Sequence, residues 1–235
     1  LEYTFNMNSG VKWIAAWQNS YASASVLTSN VFSYGTGQFL DNSVTLKGKV
    51  ITPTTTSIVR SFTKYDGTSD QQLQYTWNFL DGTLFQGVPA NYAAADVASS
   101  TIFNYQGAYL RYSVSLKGQK TGAAITDDIQ SFTEYDGSQD QKLKYTLNMK
   151  SGVKFIAGFA NTYTDLTQVV SSTVFDYGTG QYLLHSVSLK GKKITVTTLD
   201  DIQSFTEYDG SQDQKLEYTF NMNSGVKWIA AWANT

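Results

Sequence analysis

An all-β fold follows from three observations on this 235-residue sequence. Apolar and polar residues alternate over short stretches, glycine-bearing dipeptides separate those stretches, and no period of about 3.6 residues runs for a helix's length between caps. The expected architecture is a tandem series of β-sandwich or β-prism-like repeats of about 70 residues, with strands shared between neighbouring units.

One stretch carries the alternation four times. It reads LEYTFNMNSGVKWIAAW from Leu1, LQYTWNFLDGTLFQGVPA from Leu73, LKYTLNMKSGVKFIAGFA from Leu143 and LEYTFNMNSGVKWIAAW from Leu216, so successive copies begin 72, 70 and 73 residues apart. In the third copy Leu143, Tyr145, Leu147 and Met149 alternate with Lys144, Thr146, Asn148 and Lys150, the period of a strand with one dry and one wet face. A one-residue slip would turn every apolar side chain to water, so the register is strongly specified. Each strand runs into Ser9-Gly10, Asp81-Gly82, Ser151-Gly152 or Ser224-Gly225, dipeptides that permit the positive φ of a tight turn, and the alternating residues beyond predict a returning strand and hence a hairpin. Pro89 interrupts the second copy; lacking an N–H for the ladder, it predicts a strand end, bulge or exposed edge near Val88 and Pro89.

The remaining elements follow in chain order. Val26 to Tyr34, Gln38 to Lys47 and Lys49 to Thr56 read as strands, with a turn at Gly35-Thr36-Gly37. The second repeat restates them at Val97 to Tyr105 and Tyr109 to Lys117, and the third at Gln168 to Tyr177, Gln181 to Lys190 and Lys192 to Leu199. Ile58 to Tyr65, Ile129 to Tyr135 and Ile202 to Tyr208 join successive repeats, giving about six short strands per repeat. The period divides the chain into a first repeat at 1–60 lacking its opening strand, repeats at 61–130 and 131–203, and a partial fourth at 204–235. It matches neither ankyrin, leucine-rich nor WD40 periods, and their signature residues are absent.

Leu1 to Asn19 and Leu216 to Asn234 are the same text except for Gln18 and Ala233. Two copies of one strand pair would compete for a single place in a closed ring, leaving an unpaired apolar edge. A window on a longer array, or donation of the spare strands to the next molecule, both predict linear, head-to-tail assembly. The assembly residues expected are Leu1, Tyr3, Phe5, Trp13 and Trp17, with Leu216, Tyr218, Phe220, Trp228 and Trp232.

Hydrophobic residues make up 41% and aromatics 14%, which supports a packed core. Seventeen basic against 19 acidic residues leave a formal charge of −2 and no electrostatic case for nucleic acid or an anionic membrane. Cysteine is absent, so the sheet must hold without disulfides, and no apolar run is long enough for a transmembrane helix. The chain starts within a repeat and shows no signal peptide; secretion or display at the cell surface is inferred from its Ser, Thr, Asn, Tyr and Gly content. Asn-x-Ser/Thr sequons are absent.

Two sets of residues qualify as ligand sites. Tyr-Asp-Gly-Ser/Thr-x-Asp-Gln begins at Tyr65, Tyr135 and Tyr208, and twice follows an acidic pair. Asp127, Asp128, Asp136 and Asp140 in one copy, and Asp200, Asp201, Asp209 and Asp213 in the next, offer the oxygens calcium requires. The competing reading is hairpin chemistry with solvated acids. Tyr34, Tyr105 and Tyr177 share one repeated position beside a turn, where a ring could stack on a sugar. No catalytic constellation is present, so no enzyme activity is expected: His185 is the only histidine, and Asn42 and Tyr112 stand at its counterparts. The function expected is therefore structural, an extracellular or cell-surface filament, sheath or adhesive stalk whose partner is itself. The rival is a multivalent lectin with one weak glycan site per repeat; a pore-forming toxin ranks third.

Overall fold

The computed structural model describes residues 2–9, 11, 21–35, 37–87, 91–157, 163 and 167–228. The expectations at Leu1, Trp13, Trp17, Val88, Pro89 and Trp232 lie outside these residues. The described residues are almost wholly strand and connector, with short 3-10 turns at Ser23–Ser25 and Ala94–Asp96. No described helix is long and apolar enough to cross a membrane.

Thirteen strands lie in one sheet in sequence order without a crossover, and every described pairing is antiparallel. They are β1 (Glu2–Met7), β2 (Val26–Tyr34), β3 (Leu40–Lys47), β4 (Val59–Tyr65), β5 (Leu73–Phe79), β6 (Val97–Gln106) and β7 (Tyr109–Lys117), then β8 (Ile129–Tyr135), β9 (Leu143–Met149), β10 (Val169–Asp176), β11 (His185–Lys190), β12 (Ile202–Tyr208) and β13 (Leu216–Asn221). The all-β class expected is present as an open antiparallel sheet, and the sandwich or prism-like arrangement expected is not confirmed by it. Each repeat contributes four strands, not six: Lys49 to Thr56 and Lys192 to Leu199 are connectors. By contacts the chain forms two compact units, Leu1–Ile102 with Lys117–Gly122, and Phe103–Leu116 with Ala123–Thr235.

The expected hairpins are not formed in the described copies. After Gly82 the chain does not return along β5. It continues beside the residues that precede β4, where Phe85 N–H donates to Ser57 O at 2.8 Å and Thr83 O accepts from Val59 N–H at 2.8 Å. The same step recurs with Phe155 on Asp127 and Trp228 on Asp200, and isolated bridges join Ile58 to Leu84, Asp128 to Lys154 and Asp201 to Lys227. The glycines do take positive φ, at 87°, 82° and 88° for Gly82, Gly152 and Gly225. That freedom makes a local loop within a continuing strand rather than a reversal.

Bulges at fixed places set which side chains face inward. Leu46 pairs with Val59 and Thr45 with Ser61, which leaves Arg60 as an extra residue; Gln130 and Gln203 are extra in the same way. A bulge restores the inward direction after three residues instead of two, so Val59 and Phe62, Ile129 and Phe132, and Ile202 and Phe205 are all buried. On β2, β6 and β10 the extra residues are Leu27, Ala98 and Val170, which explains why apolar Leu27 and Val170 are about half exposed, at 53% and 49%.

The apolar face is covered by connectors. In the first unit Val31, Val44, Leu46, Phe62 and Trp77 form the floor, and Tyr92, Phe85 and Val50 from two connectors pack onto it. In the second, Val187, Leu189, Ile202 and Phe205 are covered by Val196 and Trp228. A fully buried serine fixes each β3–β4 type of connector. Ser29 Oγ donates to Gly48 O at 2.6 Å and accepts from Val50 N–H at 2.8 Å; Ser100 does the same with Gly118 and Lys120 at 2.6 and 2.8 Å, and Ser172 with Gly191 and Lys193 at 2.5 and 2.7 Å. The bulge carbonyls of Leu27, Ala98 and Val170 accept the N–H of the same glycines at 2.8, 3.0 and 2.9 Å. The opposite face is a ladder of hydroxyls and amides, with Thr63 to Thr76 and Thr133 to Thr146 hydrogen bonds of 3.0 Å.

Candidate functional site

The residues singled out for assembly lie on β1 and β13. Among the described residues β1 pairs with β2 alone and β13 with β12 alone. The rings of Tyr3 and Phe5 pack tilted with centres 5.0 Å apart, and Tyr3 packs on the first core cluster. The rings of Tyr218 and Phe220 pack tilted at 5.0 Å, and the Tyr218 hydroxyl donates to Glu207. Burial depends on the number of neighbouring strands. Trp77, flanked by Phe62 and Ser100, is 3% exposed, and Leu147, flanked by Phe132 and Ser172, is 0% exposed. Phe220 holds the same place with Phe205 on one side only and is 50% exposed, while Leu216 is 59% exposed. Both are strand residues whose second neighbour is not among the described residues.

The acids proposed for calcium are not gathered. Asp136 lies eight positions beyond Asp128, across the seven residues of β8, about 26 Å at roughly 3.3 Å per residue, so the two ends of β8 cannot share an ion. Each acid serves locally. Asp136 closes the β8–β9 loop, accepting from Ser138 N–H at 3.0 Å, Ser138 Oγ at 2.7 Å and Lys142 N–H at 3.0 Å. Asp66 and Asp209 do the same in their loops. Burial pushes the Asp136 carboxyl up, but these hydrogen bonds outweigh it and hold it below the usual range. Asp127 and Asp200 close connector turns, accepting from Ala124 N–H at 2.8 Å and Thr197 N–H at 2.7 Å, as Ser57 does for Thr54 at 3.0 Å. Asp200 also meets Lys193 at 2.8 Å. Asp128 and Asp201 pair with Lys154 and Lys227 at 2.6 and 2.5 Å, and Asp140 and Asp213 lie 3.8 and 3.3 Å from Lys142 and Lys215. Among the described residues no group of three or more His, Asp or Glu is placed to hold a metal ion.

The three tyrosines proposed for sugar stand in different surroundings. Tyr34 is 39% exposed at the end of β2, and Tyr105 is half-buried on β6. Tyr177 follows β10 and lines a groove of about 500 Å³ in the second unit. Its hydroxyl accepts from Leu143 N–H at 3.2 Å, and the Lys142 ammonium lies 5.4 Å from its ring centre. Burial pushes its phenol up, with nearby Asp136 adding to the effect, so the hydroxyl keeps its proton at neutral pH.

The same groove contains His185, which no repeated pattern marked. Its Nε2 lies 3.1 Å from Asp176 Oδ2, and its ring centre lies 5.5 and 6.2 Å from those of Phe205 and Trp228. Trp228, expected as an assembly residue, is therefore part of a groove wall as well as of the second core cluster. Asp176, Ile194 and Val196 complete the set that sequence reading did not collect. The only signal for them was departure from the repeat: Ser33 and Asn104 stand where Asp176 does.

No protein-family model matches the chain. A stretch of 78 residues is 33% identical to the type IV pilus biogenesis factor PilY1 of Pseudomonas aeruginosa (strain UCBPP-PA14), covering 32% of this chain and 7% of that protein.

Proposed function

We propose that the chain is part of an extracellular or cell-surface structural protein in which each repeat of about 70 residues adds four strands to a growing sheet. The product is a filament, sheath or adhesive stalk extended head to tail. The observation that carries this is the exposure of Phe220, 50%, against 3% and 0% for Trp77 and Leu147 at the same place in β5 and β9. Covering Phe220 and Leu216 calls for a strand of the β2, β6 or β10 type on the other side of β13, supplied by the next repeat of a longer array or by a second copy. Residues 216–232 repeat 1–17 letter for letter, so β13 can take the place of β1 on a β2 strand in the register β1 uses, with Phe220 opposite Ser29, the β1 of a second copy being displaced. Completing the burial of two half-exposed large side chains contributes about 1–1.5 kcal/mol each, and the ladder supplies the direction. The partial similarity to a pilus biogenesis factor supports a surface location.

The test uses edge proline. Met222 N–H donates to Gln203 O on the β12 side, so by strand alternation the N–H of Thr219 points away from β12. Thr219→Pro thus removes a donor from that edge and spares the backbone ladder to β12, at the loss of the Thr206–Thr219 hydroxyl hydrogen bond of 3.0 Å. Light scattering over a concentration series, with negative-stain microscopy, is expected to show end-to-end growth for the parent chain and a monomer for Thr219→Pro. A parent chain that stays monomeric throughout, or a variant that grows equally well, overturns the reading.

A further inference from the structure

The groove of about 500 Å³ in the second unit has the size of a ligand site, and two kinds of group line it. Some are apolar: Val174 and Val187 pair across β10 and β11, Ile194 and Val196 come from the connector after β11, and Trp228 follows β13. Others are groups that bond in both senses. Asp176 Oδ1 accepts from Gly178 N–H at 2.8 Å and Oδ2 faces His185, yet the carboxylate side chain is 52% exposed and keeps lone pairs toward the groove. Tyr177 uses its oxygen to accept from Leu143 N–H, which leaves the hydroxyl proton to donate. Lys142 donates to Gly180 O at 2.8 Å and carries further protons.

The charge of the rim is balanced, with Lys142 and Lys144 against Asp136 and Asp176. A strongly charged ligand finds a like charge wherever it finds a partner. A neutral ring with one apolar face and an edge of hydroxyls meets no such conflict. Its C–H face suits the indole and Ile194, and its hydroxyls can donate to Asp176 and accept from Tyr177 and Lys142. We propose that this groove binds a neutral saccharide of one or two hexose units, with Asp176, Tyr177 and Lys142 reading its hydroxyls and Trp228 carrying its ring. The site occurs once, built on the third repeat with Trp228 from the start of the fourth. Where it has Asp176, His185 and Trp228, the earlier repeats have Ser33, Asn42 and Phe85, then Asn104, Tyr112 and Phe155. It is thus a single graft on a repeated frame, unlike the expected one site per repeat, and it does not depend on the sheet growing.

The experiment uses the Thr219→Pro chain, so that polymerisation and binding are read separately. Tryptophan emission and calorimetry are followed against glucose-, galactose-, mannose- and N-acetylglucosamine-based disaccharides, with sialyllactose and the dipeptide glycylglycine for comparison. Saturable binding of at least one neutral disaccharide is expected, weakened about tenfold or more by Asp176→Ser and by Tyr177→Phe. Tyr34→Phe should leave it unchanged, and Trp228→Phe, which installs the residue found at 85 and 155, should remove the emission change while circular dichroism shows an intact sheet. Binding to none of the neutral sugars, binding indifferent to Asp176 and Tyr177, or preference for sialyllactose or glycylglycine overturns the proposal.

Discussion

Replacing Ser100 by alanine tests the account of how connectors are held to the sheet. Its side chain is fully buried and its single oxygen serves two backbone groups, Gly118 O at 2.6 Å and Lys120 N–H at 2.8 Å. Alanine removes the side-chain oxygen that serves both of these backbone groups at a fully buried position. An orphaned buried group costs about 1–3 kcal/mol, so Ser100→Ala should destabilise by about 2–4 kcal/mol. The equilibrium constant for opening then rises between about thirtyfold and several hundredfold. The loss should be local as well as global. Trp77 Nε1–H still donates to Lys120 O at 2.6 Å, so the connector keeps one anchor while the Lys120 amide loses its own. Ser99 is the control: it lies on the wet face, where it accepts from Asn78 Nδ2 at 3.2 Å, and Ser99→Ala should change stability by less than about 0.5 kcal/mol. Urea denaturation gives the first quantity and hydrogen exchange at Lys120 the second. Equal stability for the two variants, with the Lys120 amide still protected in Ser100→Ala, would refute the reasoning.

Two further expectations follow from the same geometry. Tyr163 is 1% exposed and its hydroxyl accepts from Ile156 N–H at 3.0 Å; Tyr163→Phe leaves that N–H without its acceptor and should cost about 1–2 kcal/mol in urea denaturation, whereas an unchanged midpoint would show the bond to be idle. Burial pushes the Asp136 and Asp200 carboxyls up, but hydrogen bonds from Ser138 and Lys142 to the first, and from Lys193 and Thr197 to the second, bring both below the ordinary value. A carboxyl lowered in the folded state stabilises fully above its unfolded pKa, about 3.9, and loses that contribution as pH falls through the folded value. The urea midpoint should therefore hold above about pH 5 and fall below about pH 4; Asp136→Asn should make that fall shallower, and an acid slope identical to the parent's would count against the loop assignment.

Where strand composition and flanking turn residues sufficed, the elements could be read from the residues. The strands at Val26–Tyr34, Tyr109–Lys117, Ile129–Tyr135 and Ile202–Tyr208 have the bounds read for them. Where the outcome depended on pairing with distant residues, reading failed. Lys49 to Thr56 has a strand's β-branched composition, yet its backbone bonds go to Ser29 and its own turn, which composition does not record. Gly82, Gly152 and Gly225 adopt the positive φ that their dipeptides promised, but a dihedral at one residue does not decide whether the chain reverses or carries on beside Ser57, Asp127 or Asp200.

The candidate groove failed to show in the residues for a different reason: the repeats were searched for what they share. Asp176, His185 and Trp228 are informative because they differ from Ser33, Asn42 and Phe85. The pairs that hold the sheet are repeated by necessity, since Phe62 on Trp77, Phe132 on Leu147 and Phe205 on Phe220 solve one packing problem three times. Once that problem is solved by the recurring strands, side chains at the strand ends are released from it and can diverge at little cost in stability. Leu184 shows that freedom: a Cβ on Gly178 would lie 2.7 Å from its Cδ1 and one on Gly210 2.8 Å from its Cδ2, so glycine in both loops lets the side chain keep its present place. Asp41 and Arg111 occupy its place in the earlier copies, and Asp41 instead pairs with Lys64. A frame that tolerates an acid, a base and an aliphatic side chain at one position is suited to acquiring a site in a single repeat, and the third repeat is where the apolar wall and the hydrogen-bonding rim coincide.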